Sequence, residues 1–171
     1  MSSMQQPNVY APAFTINPVA RLKLVALDPK ETLVITAQFN PKEIQIDSSA
    51  TWAPHRHKGG RPTDLEFTGR NPRTVTLELM FDASEVAEGS LREPLEALDK
   101  LLQNVSETGD LRRPPAVRVV WGAGTKGGDL PDFSAVVESI SVKHTMFGAD
   151  GRCLRAIANV KLKEATFARS R

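Results

Sequence analysis

The sequence is poor in the residues that usually mark a redox site or a nucleic-acid surface. A single cysteine, Cys153, excludes an intramolecular disulfide framework, and aromatic residues make up only 6% of the chain. So few rings offer little surface on which nucleic-acid bases could stack. Neither sign of charge dominates, because 22 Lys and Arg oppose 20 Asp and Glu and leave a net charge of +2. A balanced charge demands no polyanionic partner, so we expect no binding to nucleic acid.

Long hydrophobic runs are also missing. None reaches the roughly 18 residues of a membrane-spanning helix, and the first residues lack the basic region and apolar stretch of a secretory signal. We therefore expect no direct membrane insertion and a protein that is cytoplasmic when it is synthesised. A chain of 171 residues suits one domain, since folding at this size buries roughly 70% of the unfolded surface.

Patterns of catalytic residues are weak. An enzyme would need a nucleophile beside a base, paired carboxylates or a metal set. Cys153 and His144 could meet across a predicted hairpin, but a packing or interface pair is the plainer interpretation. A G-x-G-x-x-G match at residues 122–127 follows a strand, yet Pro131 and another strand come next, where a dinucleotide fingerprint needs a helix. We predict no enzymatic activity, no cofactor and no metal.

What the sequence does contain is period-two alternation, the pattern of half-buried strands. The strongest example is residues 74–82, where the odd-numbered positions are apolar, and residues 65–67 just upstream are expected to form a hairpin with this strand. Residues 21–27 and 33–39 form a first predicted hairpin, followed by a short strand at Ile44 and Ile46. One helix is predicted from apolar residues at spacings of three and four. They are Leu91, Leu95, Leu98, Leu102 and Val105.

The closing hairpin is unusually long. Residues 133–146 and 154–162 alternate on either side of a G-A-D-G turn, and strands of this length exceed the usual five or six residues. The alternation places Val136, Ile140 and Val142 on one face and Ala135 and Val137 on the other. Because such strands commonly reach beyond their own domain, we predict that the hairpin forms a subunit interface. Its proposed residues are Val136, Ile140, Val142, Leu154, Ile157 and Val160.

Residues 48–63 are predicted to form an irregular loop, because two glycines and two prolines interrupt them. The loop is basic, and we predict that it contacts a partner protein. Two histidines there are too few for a zinc site without cysteine or acidic neighbours. The proposed contact residues are His55, Arg56, His57, Lys58 and Arg61.

Four separated segments together resemble the tube-type domain of contractile injection systems, the family that supplies baseplate and tube-initiator proteins of phage-tail-like particles. The resemblance extends over residues 21–164. The segments are F-N-P at residues 39–41, residues 65–82, R-P-P-A-V-R-V-V-W-G at residues 113–122, and residues 137–156. The resemblance rests on the order and the spacing of these four segments.

The resemblance implies a mainly β fold, a β-barrel or sandwich of the tail-tube type with one flanking α-helix and long hairpins. It also implies a six-fold ring whose hairpins form a continuous sheet around a lumen. In such a particle the ring is an adaptor, or tube initiator, that joins the spike hub of the baseplate to the inner tube, with baseplate or sheath components as further contacts. Many members carry a LysM module, which this sequence lacks, so no peptidoglycan contact is expected.

Two other interpretations stay open at this stage. The chain could be the main inner-tube subunit, or a monomeric β-barrel that binds a small ligand in its interior. Under each of these interpretations we expect the same division of the chain. It has an N-terminal arm at residues 1–18, a β domain at residues 19–165 and a basic tail at residues 166–171.

Overall fold

A computed structural model describes residues 8–10, 20–28, 33–55, 64–86, 89–107, 112–121, 130–132 and 134–165. This part of the chain is mostly β-strand with one helix, so the predicted mainly β class is confirmed. In chain order the elements are β1 (Asn8–Tyr10), β2 (Lys23–Ala26), β3 (Leu33–Thr36), β4 (Ile44–Asp47), β5 (Ala50–His55), β6 (Asp64–Arg70), β7 (Thr74–Asp82), α1 (Arg92–Lys100), β8 (Val117–Val120), β9 (Ala135–Phe147) and β10 (Cys153–Glu164).

In the described part of the chain, eight strands form one sheet in the order β1-β3-β2-β8-β9-β10-β7-β4, and β5 and β6 pair in a second sheet. The large sheet is rolled, because Ile46 of β4 and Val119 of β8 line one small cavity although four ladder steps separate their strands. Gln38, just after β3, also exchanges two hydrogen bonds of 2.7 and 2.8 Å with the backbone of Asp82 at the end of β7. The rolled sheet therefore encloses a single core, to which apolar residues of β2, β3, β7, β9, β10 and α1 contribute.

The predicted helix is present, but the face that it packs on the core differs from the prediction. Leu91 is the N-cap, so Pro94 is the third helical residue, whose N–H would have had no helical partner in any case. After Lys100, the N–H of Leu101 bonds to the Leu98 carbonyl three residues back, which tightens the turn. Leu101 is thereby fully buried, whereas Leu102, which was expected on the packed face, is exposed.

The long hairpin is present, and its two strands have 13 and 12 residues. The predicted faces of β9 are wrong, however. Val137 pairs with Leu162 and Ser139 with Lys161, so Glu138 is an extra residue that forms a bulge. The bulge moves Ile140 and Val142 to the same side as Val137, and Val136 lies on the other side.

The chain around residues 48–70 also differs from expectation. The predicted irregular loop contains β5, and β6 pairs with β5 and not with β7. Asn71 explains the difference, because its backbone N–H bonds to the Ser49 carbonyl at 3.0 Å and its side chain to the Ser49 hydroxyl at 3.0 Å. These bonds close the base of the β5–β6 hairpin, and the chain then passes to the large sheet.

Other predictions meet the structure only in part. The first hairpin is confirmed as β2–β3, and the short strand at Ile44 is confirmed as β4. Within the predicted N-terminal arm, β1 pairs in parallel with β3. The glycine-rich segment at residues 122–128 and the basic tail lie outside the described residues, so the domain boundaries stay a prediction.

Candidate functional site

The long β9–β10 hairpin is the candidate site, because one of its strands has a free edge. β10 is interior to the sheet, since it pairs with β9 on one side and with β7 along Arg155 to Lys163 on the other. β9 pairs with β8 at Ala135 alone. Among the described residues, no strand covers the remaining edge of β9 from Val136 to Phe147.

Hydrogen bonds at the ends of β10 show which backbone groups point to this edge. The Leu154 carbonyl and the Glu164 N–H both bond toward the β7 side, whereas the Ala165 N–H bonds to Ser134 on the β9 side. Because successive residues of a strand point in alternate directions, the odd-numbered residues of β10 bond to β9. Their partners are Ser139, Ser141 and Lys143.

The residues between those partners must direct their N–H and C=O groups away from β10. They are Ile140, Val142 and His144, which lie opposite Val160, Ala158 and Ala156. Since exposed strand edges are templates for pairing with another chain, these three backbone positions form a ready docking edge.

The six residues that the sequence analysis proposed for an interface divide between the two strands. Val136, Ile140 and Val142 belong to β9, where half-buried side chains accompany the free edge. Leu154 and Ile157 are half-buried on β10, and Val160 is fully buried in the core of its own chain. No contact with another chain tests these assignments, so they stay a prediction.

The conceivable Cys153–His144 contact does exist. The Sγ atom lies 3.0 Å from Nδ1 of the imidazole and 3.3 Å from the carbonyl oxygen of Arg155. The pair sits on the distal, exposed part of the hairpin. It links the two strands of the hairpin.

Two ion pairs fasten β10 to the neighbourhood of β7. Glu164 accepts from Arg73 through Nη2 at 2.7 Å and Nε at 3.0 Å, and it also accepts from the Arg73 backbone N–H at 3.0 Å. These hydrogen bonds lower the pKa of Glu164 to about 2. At the other end, Arg155 donates to Asp82 at 2.8 Å. Burial acts to raise the pKa of Asp82, but hydrogen bonds from Ser84 and Arg155 outweigh it, and that pKa is lowered.

A second surface of interest is one face of the β5–β6 hairpin. Trp52 and Phe67 face each other across the strands, with ring centroids 5.4 Å apart in an edge-to-face arrangement. Both rings and the adjacent Leu65 are more than half exposed. The sequence analysis missed this face, although Trp52 and Pro54, and Leu65 and Phe67, show the two-residue spacing that could have indicated it.

The predicted partner-contact loop is only partly described. His55 is the last residue of β5. Arg56, His57, Lys58 and Arg61 lie outside the described residues, so their role stays a prediction. No group of three or more His, Cys, Asp or Glu side chains in the described part could hold a metal ion. Nor does the helix of this part have the length and apolar character needed to cross a membrane.

Comparison with protein-family models gives a match. The family model described as contractile injection system tube protein matches residues 19–171, which is nearly the whole chain. A search of curated proteins finds no match.

Proposed function

The chain belongs to the family of contractile injection system tube proteins, and from that premise we propose that it is a ring subunit joining the spike hub of the baseplate to the inner tube. The family assignment makes it a structural component of an injection particle. The adaptor position and the six-fold ring are the parts that we propose.

The free edge of β9 carries the proposal. In a closed ring, a strand of the neighbouring subunit would pair with Ile140, Val142 and His144 and would cover this edge of β9. Such a contact joins two different surfaces of the same protein, which is the kind of contact that closes into rings. Leu154 and Ile157 would flank this contact through their side chains, and Val160 would support the strand from within.

A main inner-tube subunit is the second candidate, and the family description itself favours it. The two candidates differ in copy number, because an adaptor forms one ring in each particle whereas a tube contains many. Quantitative mass spectrometry of purified particles, with the spike as reference, separates them. A ligand-binding barrel receives little support. In the described part of the chain, the apolar cavity between β4, β7, β8 and β9 holds about 10 Å³, and the cavity lined by Thr36, Gln38 and Phe81 holds about 160 Å³. Both are below the roughly 300 Å³ that ligand sites need.

Proline at position 144 tests the role of the free edge. Proline has no N–H, and the His144 N–H makes no bond to β10, so His144→Pro should stay folded by circular dichroism. We expect it to fail to enter particles when it is produced together with spike and tube proteins. His144→Ala is the matched control, because it removes the same imidazole and its contact with Cys153 but keeps the N–H.

A second proline distinguishes edge pairing from pairing within the chain. Ser141 bonds to β10 opposite Asn159, so Ser141→Pro should destabilise the domain itself. Normal assembly of a folded His144→Pro protein would show that neighbouring subunits bind another surface.

A further inference from the structure

The imidazole of His144 lies at the free edge of β9, on the side of the sheet that faces the core. His144 pairs with Ala156, which is fully buried, so the two side chains share that side. The Nδ1 atom lies 3.0 Å from Sγ of Cys153, and the ring lies 6.4 Å from that of Phe147. One flank of the imidazole therefore contacts the hairpin itself, whereas no described strand covers the flank at the free edge, and His144 is exposed.

Pairing at this edge would cover the second flank of the imidazole. In a paired sheet, directly opposite residues point to the same side, with Cβ atoms about 4.5–5.5 Å apart. A strand that bonds to the backbone of His144 thus places one of its own side chains beside the imidazole, whatever its register. Ile140 and Val142 are half-buried on the same side of β9, so the imidazole already has apolar neighbours along the strand. Strand pairing therefore withdraws the imidazole from water.

The titratable group that β10 presents to the imidazole is the thiol of Cys153. This thiol donates to the carbonyl oxygen of Arg155 at 3.3 Å, so it is neutral and supplies no negative charge. The side chain of Arg155 and its partner Asp82 point to the other side of the sheet, because Arg155 alternates with Ala156 along β10.

Charged groups elsewhere on the hairpin do not compensate either. Lys143 lies opposite Ile157 on the other side of the sheet, and it is a cation like protonated histidine. Asp150, in the turn, is paired with Arg152. In the described part of the hairpin, therefore, no unpaired carboxylate faces His144, and a positive charge there would depend on water for its stabilisation.

We propose that assembly through the free edge of β9 is sensitive to pH, because the neutral imidazole of His144 permits strand pairing and the imidazolium opposes it. This inference rests on the proposed ring and concerns its regulation. Histidine is the side chain that ordinarily titrates between pH 5 and 8, and burial without a partner disfavours its charged form. The assembled state then binds fewer protons than the free chain. Association should strengthen as the pH rises and weaken as the pH falls toward 5.

Sedimentation of the full chain at pH 7 and pH 5 provides the first test. Since a pKa shift of one unit is a tenfold change in proton binding, we expect association to be roughly tenfold weaker at pH 5. His144→Gln has no titrating group, so the ratio of its two association constants should be about one. His55→Ala is the matched control, because it removes a histidine at the end of β5 and should keep the wild-type ratio. Glu164 does not interfere, since its pKa of about 2 leaves it charged at both pH values.

Proton uptake by the wild type provides a second test that needs no variant. Calorimetric dilution of the assembled chain at pH 6, in two buffers with different heats of ionisation, measures the protons bound on dissociation. We expect uptake, because the imidazole is protonated once the neighbouring strand leaves.

The outcomes separate this inference from the proposed ring. Equal association at both pH values, stronger association at pH 5, a wild-type ratio in His144→Gln, or no proton uptake would each overturn the inference while ring assembly stands. A wild-type chain that stays monomeric at both pH values, alone and beside its spike and tube partners, would overturn both.

Discussion

The ion pair between Arg73 and Glu164 should make the stability of this protein depend on pH in a defined way. Glu164 is the last residue of β10, and its carboxylate receives three hydrogen bonds from Arg73, two of them from the guanidinium. The Glu164 N–H also bonds to the Arg73 carbonyl at 2.8 Å. Substitution by glutamine keeps the shape of the side chain and removes its charge.

The magnitude follows from the pKa of Glu164, which is lowered from 4.5 to about 2. At 1.36 kcal/mol for each tenfold change, a pKa lowered by about 2.5 corresponds to at most about 3.4 kcal/mol. The two side chains are 18% and 28% exposed, so water screens part of the attraction. We therefore expect the pair to contribute about 1–2 kcal/mol to the free energy of unfolding.

The sign of the Glu164 pKa shift determines how the contribution of the ion pair changes with pH. Because the pKa in the folded state is depressed, the contribution is fully present above the unfolded value of about 4.5. It is lost as the pH falls from 4.5 toward 2. Glu164→Gln should thus be less stable than the wild type by about 1–2 kcal/mol at pH 7, and the two proteins should converge near pH 2.

Urea unfolding at pH 7, 4.5 and 3 measures this difference. Glu96→Gln is the control, because the pair of Glu96 with Arg92 is 55% and 81% exposed and should matter little at any pH. A difference between wild type and Glu164→Gln that stays constant from pH 7 to pH 3 would refute the argument. It would mean that the glutamine acts through its packing or its hydrogen bonds, and not through the charge.

Three further substitutions test other contacts. Leu98→Ala should lower the free energy of unfolding by about 2–5 kcal/mol in chemical denaturation, because Leu98 is only 1% exposed. Gly89→Ala should lower the melting temperature, since its new Cβ would lie 2.6 Å from the backbone oxygen of Ala83; an unchanged melting curve would contradict this. Arg118→Met should change stability by less than about 1 kcal/mol in the same assay, because its ion pair with Asp132 is 32% and 43% exposed; a larger loss would mean that the pair matters structurally.

Alternation of apolar and polar residues predicted the strands correctly where the two faces of a strand differ in burial. β7 follows it throughout, with Val75, Leu77, Leu79 and Phe81 buried. β10 does so as well, because its even-numbered residues from 156 to 162 all point to the core. These predictions succeed because a regular pleat turns a two-residue spacing directly into burial.

The same reasoning failed where the backbone departs from a regular pleat or where pairing is decided by distant residues. A bulge at Glu138 exchanges the faces of β9, and nothing in the local pattern requires it. Pairing of β6 with β5 depends on bonds between Asn71 and Ser49, which are 22 residues apart in the chain. The spacing of apolar residues within one segment contains no information about the bulge in β9 or about the pairing of β6 with β5.

The candidate site shows the limit most clearly. The sequence analysis assigned both strands of the long hairpin to one assembly element. In the structure, β10 is paired on both sides, so of these two strands β9 is the one with a free edge. A proline at Ile157 would therefore damage the sheet of the chain itself. The order of all strands in the sheet decides which strand of a hairpin has an unpaired edge. No short segment of the sequence contains that information.

The free edge is also limited in length, and this limit bears on assembly. Register shifts interrupt the β9–β10 ladder on both sides of Ser139 to His144, so the regular part of the edge has six residues. Bulges twist an edge and discourage indefinite pairing, which protects a monomer from uncontrolled association. A neighbouring strand thus has about six residues to pair with, and only three of them offer outward-facing backbone groups. So short a ladder holds subunits weakly by itself. Stable rings would then need side-chain burial beside the edge, and the half-buried side chains of Ile140 and Val142 on β9 are apolar surface that can contribute to it.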